Sequence, residues 1–166
     1  MLRRRQLAAL LPLLSVTLGI SGCGFALRQT PALPFQKIAL TGFAARSPLA
    51  DELRRALAEQ VQVVDSVNGA DIVLNVVLDR RERSVVAATA TAQTRELQLR
   101  LRFEYALATP GGRPLSPTIE MLLSRDMSTN ETFALAKAQE ESQLFAAMQT
   151  DVVQQVMRRL AQVKLT

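Results

Sequence analysis

Between Leu97 and Leu107 the chain places Leu97, Leu99, Leu101, Phe103, Tyr105 and Leu107 at every second position. Gln98, Arg100, Arg102 and Glu104 occupy positions between them. Successive side chains of an extended chain point to opposite faces, so this alternation predicts a long strand with one dry and one wet face. A strand of that kind belongs in an antiparallel sheet covered on one side.

The remaining elements are read around it. Lys37–Leu40 alternates weakly and reads as a first strand. Ser47-Pro48 opens a helix: the serine caps, proline suits the first turn, and Asp51 and Glu52 complement the positive end of the helix dipole. Leu49, Leu53, Ala56 and Leu57 form its apolar stripe. Val61–Val64 is a short β-prone piece, and Asp71–Asp79 alternates with Ile72, Leu74, Val76 and Leu78 on one side. Ser84–Thr94, rich in Ala and Thr, reads as the tip of a long hairpin. Pro110-Gly111-Gly112 is a turn into a strand at about Thr118–Met127.

A long helix is expected from about Asn130 to Val163, capped by Ser128 or Asn130. Its stripe is Phe145, Met148, Val152, Val156, Leu160 and Val163, with Arg158, Arg159 and Lys164 at the negative dipole end. The expected fold is α+β: a two-layer sandwich with a mostly antiparallel four-stranded sheet and two helices packed on one face, in the order β-α-β-β-β-α. It occupies residues 37–166 as one domain.

The N-terminus has a different logic. Arg3, Arg4 and Arg5 precede an apolar run from Leu7 to Ile20, shorter than the ~20 residues that span a bilayer. Residues 1–22 are therefore expected to be a removed export signal. Ile20-Ser21-Gly22-Cys23 resembles the bacterial lipobox, in which small residues precede a cysteine that takes a diacylglycerol thioether and an N-acyl chain. Cys23 is the expected lipidation site, and Gly24 rather than Asp after it implies an outer-membrane destination. Residues 23–36, with Pro31 and Pro34, read as a lipidated tether.

Composition narrows the chemistry. The formal net charge is +5, but Arg3–Arg5 supply three of the 20 basic residues, against 15 acidic ones. The rest is nearly balanced, and Arg80, Arg81 and Arg83 lack interleaved aromatics, so nucleic acid is not an expected partner. The chain has no histidine and one cysteine, which leaves no tuned general base and makes a transition-metal centre unexpected. Glu140, Glu141 and Asp151 read as a solvated helix face. The expectation is a non-enzymatic binding or assembly protein without cofactor or metal, apart from its covalent lipid.

Cys23-Gly24-Phe25-Ala26-Leu27-Arg28 resembles the start of the mature LPS-assembly lipoproteins, the LptE family. Ala70-Asp71, Thr94-Arg95-Glu96-Leu97, Pro110-Gly111 and Ala134-Leu135-Ala136-Lys137 follow in the family's order. Glu140, Met148, Asp151, Gln155 and Arg159-Leu160 continue it. The resemblance implies an outer-membrane lipoprotein that plugs and helps assemble the LptD β-barrel in a one-to-one complex. It also implies a part in inserting lipopolysaccharide into the outer leaflet. Within it, Lys137 matches a lysine proposed to contact lipopolysaccharide phosphate; the alternative is a solvated lysine paired with Glu141. A second basic position falls at Ala90 here, where Arg95 or Arg83 could substitute. The competing reading is an auxiliary lipid-binding lipoprotein of an ABC-type lipid transport system.

Overall fold

The computed structural model describes residues 32–88, 94–129 and 131–165. In chain order the elements are β1 (Lys37–Thr41), α1 (Pro48–Ala58), β2 (Gln62–Val64), β3 (Ile72–Ala88), β4 (Thr94–Ala108), β5 (Ile119–Ser128) and α2 (Ala134–Leu160). Short 3-10 turns lie at Val67–Gly69 and Glu131–Phe133.

One sheet runs in the order β2-β1-β3-β4-β5. β1 is parallel to both β2 and β3, whereas β3–β4 and β4–β5 are antiparallel. The fold is α+β with two helices, as expected, but the sheet is five-stranded and mixed rather than four-stranded and mostly antiparallel. The extra strand is the β-prone piece near Val61–Val64. Its three paired residues are too few for a periodic signal. Because α1 carries the chain from β1 to β2, the two strands must run the same way: a hairpin turn can reverse direction, a helical crossover restores it.

The alternating segment forms β4 and continues the pattern through both faces. Leu99, Leu101, Phe103, Tyr105 and Leu107 are buried, together with Ile38, Ile72 and Leu74 of the neighbouring strands. Leu49, Leu53 and Leu57 of α1 and Phe145, Met148, Val152, Val156 and Leu160 of α2 close the same core. Two layers thus share one apolar interior, and Phe35, two residues before β1, is buried in it too. A second, smaller cluster of Ala39, Ala70 and Val73, backed by Val64 and Val67, includes residues of the opposite parity on β1 and β3. The β2–β3 connection therefore covers part of the far face.

Both helices use the cues read from the sequence, with one exception. Ser47 is the N-cap of α1 and accepts from Ala50 N at 3.2 Å. The long helix starts later than expected, at Ala134 after a 3-10 turn, with Phe133 at its N-cap position and no side-chain cap. Asn130 lies outside the described residues, and Ser128 ends β5 instead of capping. The helix stops at Leu160, leaving Val163 partly buried beyond it.

β3 contains the feature that positions the site. Val76 pairs with Tyr105, but Leu78 pairs with Glu104, so Val77 is an unmatched residue, a β-bulge. Before the bulge Ile72, Leu74 and Val76 point into the core. After it Asp79, Arg81 and Arg83 stand opposite Phe103, Leu101 and Leu99, on the helix-covered side. The expected alternation is corrected at Leu78, which the bulge moves to the Glu104 side. At the bulge, Gly42 approaches closely: its φ is +80, and a Cβ there would collide with the Val76 carbonyl oxygen. A left-handed conformation and that contact both require glycine.

β3 and β4 run on as a ribbon toward the expected hairpin tip, at Ala88 and Thr94. The tip itself, with Ala90, lies outside the described residues.

Candidate functional site

A short helix and a long strand leave space between them. α1 has 11 residues, about 16 Å at 1.5 Å per residue. Its N-cap Ser47 sits beside Asp79, where the Ser47 hydroxyl donates to Asp79 Oδ2 at 2.6 Å. β3 continues past that point to Ala88, and α1 does not follow it. α2 has 27 residues and does reach that far. The result is a cleft of about 550 Å³ between Arg81, Glu82 and Arg83 on β3 and Ala138, Glu141, Ser142 and Phe145 on α2.

The bulge puts arginines on the cleft side of the sheet. Arg81 lies over the Phe145 ring, 5.4 Å from its centroid, and donates to Gln149 Oε1. The guanidinium is therefore held by a cation–π contact and a hydrogen bond together. Gln149 is buried and its amide donates to the Pro48 carbonyl at 2.9 Å and to Glu52 Oε2 at 2.6 Å. The Thr150 hydroxyl donates to Glu52 Oε1 at 2.7 Å. These contacts join β3, α1 and α2 in one polar seam, whose buried amide has partners for both its ends.

Arg83 is freer. Its side chain is 68% exposed, and its guanidinium stands 3.6 Å from Glu141. On the other flank of α2, Lys137 Nζ donates to Glu140 Oε2 at 2.8 Å and to the Ser128 hydroxyl at 3.2 Å. Farther along that flank Arg125 of β5 donates to Asp151 at 3.3 Å. α2 thus lies above the sheet with polar ties to β3 on one side and β5 on the other. The expected alternative partner of Lys137 was Glu141; the structure gives it Glu140, because Glu141 turns toward Arg83. Two adjacent helical residues point about 100° apart, so the glutamates serve opposite flanks.

Of the residues singled out from sequence, Arg83 and Lys137 come to the same half of α2. Arg95 lies on β4, its side chain outside the described part, and Cys23 precedes the described residues. Sequence reasoning treated Arg81 only as one of a basic run and missed Gln149. A buried Gln on the flank of an apolar stripe was the available signal for the latter. Among the described residues no three His, Cys, Asp or Glu side chains gather as a metal site, and no helix is long and apolar enough to cross a membrane.

The sequence profile of LptE, Lipopolysaccharide-assembly, matches residues 35–160. The chain belongs to the LptE family. The matched span contains every strand, both helices and the cleft. The LPS-assembly lipoprotein LptE of Pectobacterium atrosepticum is 31% identical over 146 residues, covering 84% of this chain and 77% of the relative. That of Yersinia enterocolitica is also 31% identical, over 163 residues, 96% of this chain and 77% of the relative. Among solved structures, the solution structure of lipoprotein B from Nitrosomonas europaea has a TM-score of 0.72 at 28% identity. It matches 83% of this chain and 90% of its own. The crystal structure of the rare lipoprotein B from Shewanella oneidensis has a TM-score of 0.64 at 25% identity, over 76% and 95% respectively. Membership of the LptE family supports a role for this chain in lipopolysaccharide assembly as a lipoprotein, and the two-layer fold is shared with lipoproteins of other bacteria.

Proposed function

We propose that this LptE-family chain is an outer-membrane lipoprotein, anchored through lipidated Cys23 on the periplasmic side. It seats inside the LptD β-barrel in a one-to-one complex, helps that barrel assemble, and contacts lipopolysaccharide on its way to the outer leaflet. The observation that carries the contact is the placement of two cations at the first half of α2, Arg83 lining the cleft on one flank and Lys137 on the other flank beside β5. Guanidinium and ammonium groups are the donors that bind phosphate most strongly. Val85, Val86, Phe133 and Leu135 are exposed, on the strand end and helix start that bound this part of the molecule. Cations next to exposed apolar side chains suit an amphiphile with a phosphorylated head. Arg95, on the strand next to β3, is the remaining candidate for the phosphate site. The opposite face of the sheet suits the barrel: Arg102 pairs with Glu104 and Glu120 there, and Gln98 pairs with Asp126, a polar surface that can line a polar barrel interior.

Affinity purification of the chain from detergent-solubilised outer membranes tests the reading. A large β-barrel partner should co-purify in equal amount, and its absence would remove the plug role. Lys137→Asp should weaken lipopolysaccharide binding while the barrel still co-purifies; unchanged binding would leave Lys137 a solvated lysine held by Glu140.

A further inference from the structure

We propose that Glu141 and Glu140 act as internal counter-ions of the lipopolysaccharide-contact site, occupying the places where lipid phosphate binds. The inference rests on the lipopolysaccharide contact proposed above and concerns how that site is kept closed. Arg83 and Lys137, the two cations assigned to phosphate, are each paired with a carboxylate from this one helix, at 3.6 Å and 2.8 Å. The first half of α2 is attached in a different way from the second. Its earliest buried residue is Phe145; from there to Leu160 the helix buries an apolar face. Before Phe145 the ties include Lys137 to Ser128 and Arg83 to Glu141, with Leu144 partly buried against the core. A helix segment held largely by partly exposed polar contacts opens at low cost.

An exposed ion pair contributes only about 0.2–1 kcal/mol, so it yields readily to a stronger competitor. A phosphate monoester carries roughly −1.5 to −2 charges at neutral pH and three acceptor oxygens, against one charge on a carboxylate. Arg81 does not move in this exchange, since Phe145 and Gln149 fix it; it supplies a standing positive charge at the cleft wall. The cleft, at about 550 Å³, lies within the usual range for ligand pockets. Binding therefore takes the form of displacement: phosphate replaces Glu141 on Arg83 and Glu140 on Lys137, and the first turns of α2 loosen. The ligand class is a phosphorylated, acylated glycolipid.

The test uses the full chain in detergent, titrated with bisphosphorylated lipid A, with dephosphorylated lipid A, and with inorganic phosphate. Glu141→Gln should tighten binding of the phosphorylated lipid by about 1.4- to fivefold, the range equivalent to an exposed ion pair. It should leave the dephosphorylated lipid unaffected. In an Arg83→Gln background the same change should have no effect, and amide exchange across residues 134–144 should speed up on lipid binding. Glu59→Gln, at the exposed C-terminal end of α1, is the charge control and should change nothing. If the native chain binds phosphorylated lipid and Glu141→Gln binds no tighter, the counter-ion role falls while the lipid contact stands. An equal gain from Glu59→Gln would also overturn it, as a net-charge effect. If neither the native chain nor Glu141→Gln binds, both readings fall. Inorganic phosphate competing at the lipid's own concentration would assign the site to free phosphate and overturn the glycolipid class.

Discussion

Asp79 and Phe103 are cross-strand partners on the helix-covered side of the sheet, a carboxylate level with a fully buried ring. The pairing exists because the bulge at Val77 inverts the parity of β3. Upstream residues fill the core; downstream ones, Asp79, Arg81 and Arg83, meet the helices with polar groups. Each of the three has a helix-side partner: Ser47, Gln149 with Phe145, and Glu141. The cleft and its charges are consequences of one inserted residue.

Ser47 joins this seam to α1, since its oxygen accepts from Ala50 N while its hydroxyl donates to Asp79. Ser47→Ala removes both bonds from a buried position and is expected to cost about 1–2 kcal/mol. Denaturant unfolding would register it as a lower midpoint with an unchanged slope. Asp79→Asn, which keeps an acceptor, should cost less.

Tyr105 is fully buried, and its hydroxyl has no protein hydrogen-bond partner among the described residues. Burial pushes its ionisation from 10.0 up to about 12, with Arg159 opposing the shift. Removing an unpaired buried hydroxyl relieves its desolvation cost. Tyr105→Phe is therefore expected to be neutral or stabilising by up to about 1 kcal/mol in thermal unfolding. The pH dependence follows from linkage: the unfolded chain loses the phenolic proton first, so the native chain loses stability as pH rises from about 10 to 12. Tyr105→Phe should flatten that alkaline decline.

Asp71 ties the start of β3 to the strand beside it. Its carboxylate accepts from Gln36 N at 2.9 Å and Lys37 N at 2.8 Å. The Gln36 and Lys37 backbone bonds hold its pKa below the ordinary 3.8, with burial opposing and the Lys37 charge assisting. A depressed carboxylate stabilises the fold above its unfolded value and loses that contribution as pH falls through the folded value. Asp71→Asn should therefore be less stable than the native chain near neutrality, by under about 1 kcal/mol because the site is exposed. The difference should close as pH drops below about 4, measured by denaturant unfolding across a pH series.

Much of the fold was legible because its period signals were long. Leu97–Leu107 announced β4, Ser47-Pro48 announced α1, and the stripe from Phe145 to Leu160 announced α2. The bulge was not legible, since Val76, Val77 and Leu78 are all apolar and periodicity cannot say which one is skipped. Extrapolating the alternation put Leu78 inward and left the arginines unassigned to either face. β2 was too short to count, and the start of α2 was misplaced because a polar run offered a cap that a 3-10 turn replaced. At the candidate site, Lys137 and Arg83 were named from sequence. Their glutamate partners depend on which face of α2 meets which strand, which only the packed structure specifies.

The central claim is that lipopolysaccharide meets this chain at the cleft between β3 and α2. The most direct measurement replaces Ser142, which lines that cleft, with a photo-crosslinking residue in the full chain in living cells. A second chain carries the crosslinker at Leu122, exposed on the far face of the sheet. The account predicts a lipopolysaccharide adduct from Ser142 and a barrel adduct from Leu122. Lipopolysaccharide adducts from Leu122 with none from Ser142 would contradict it.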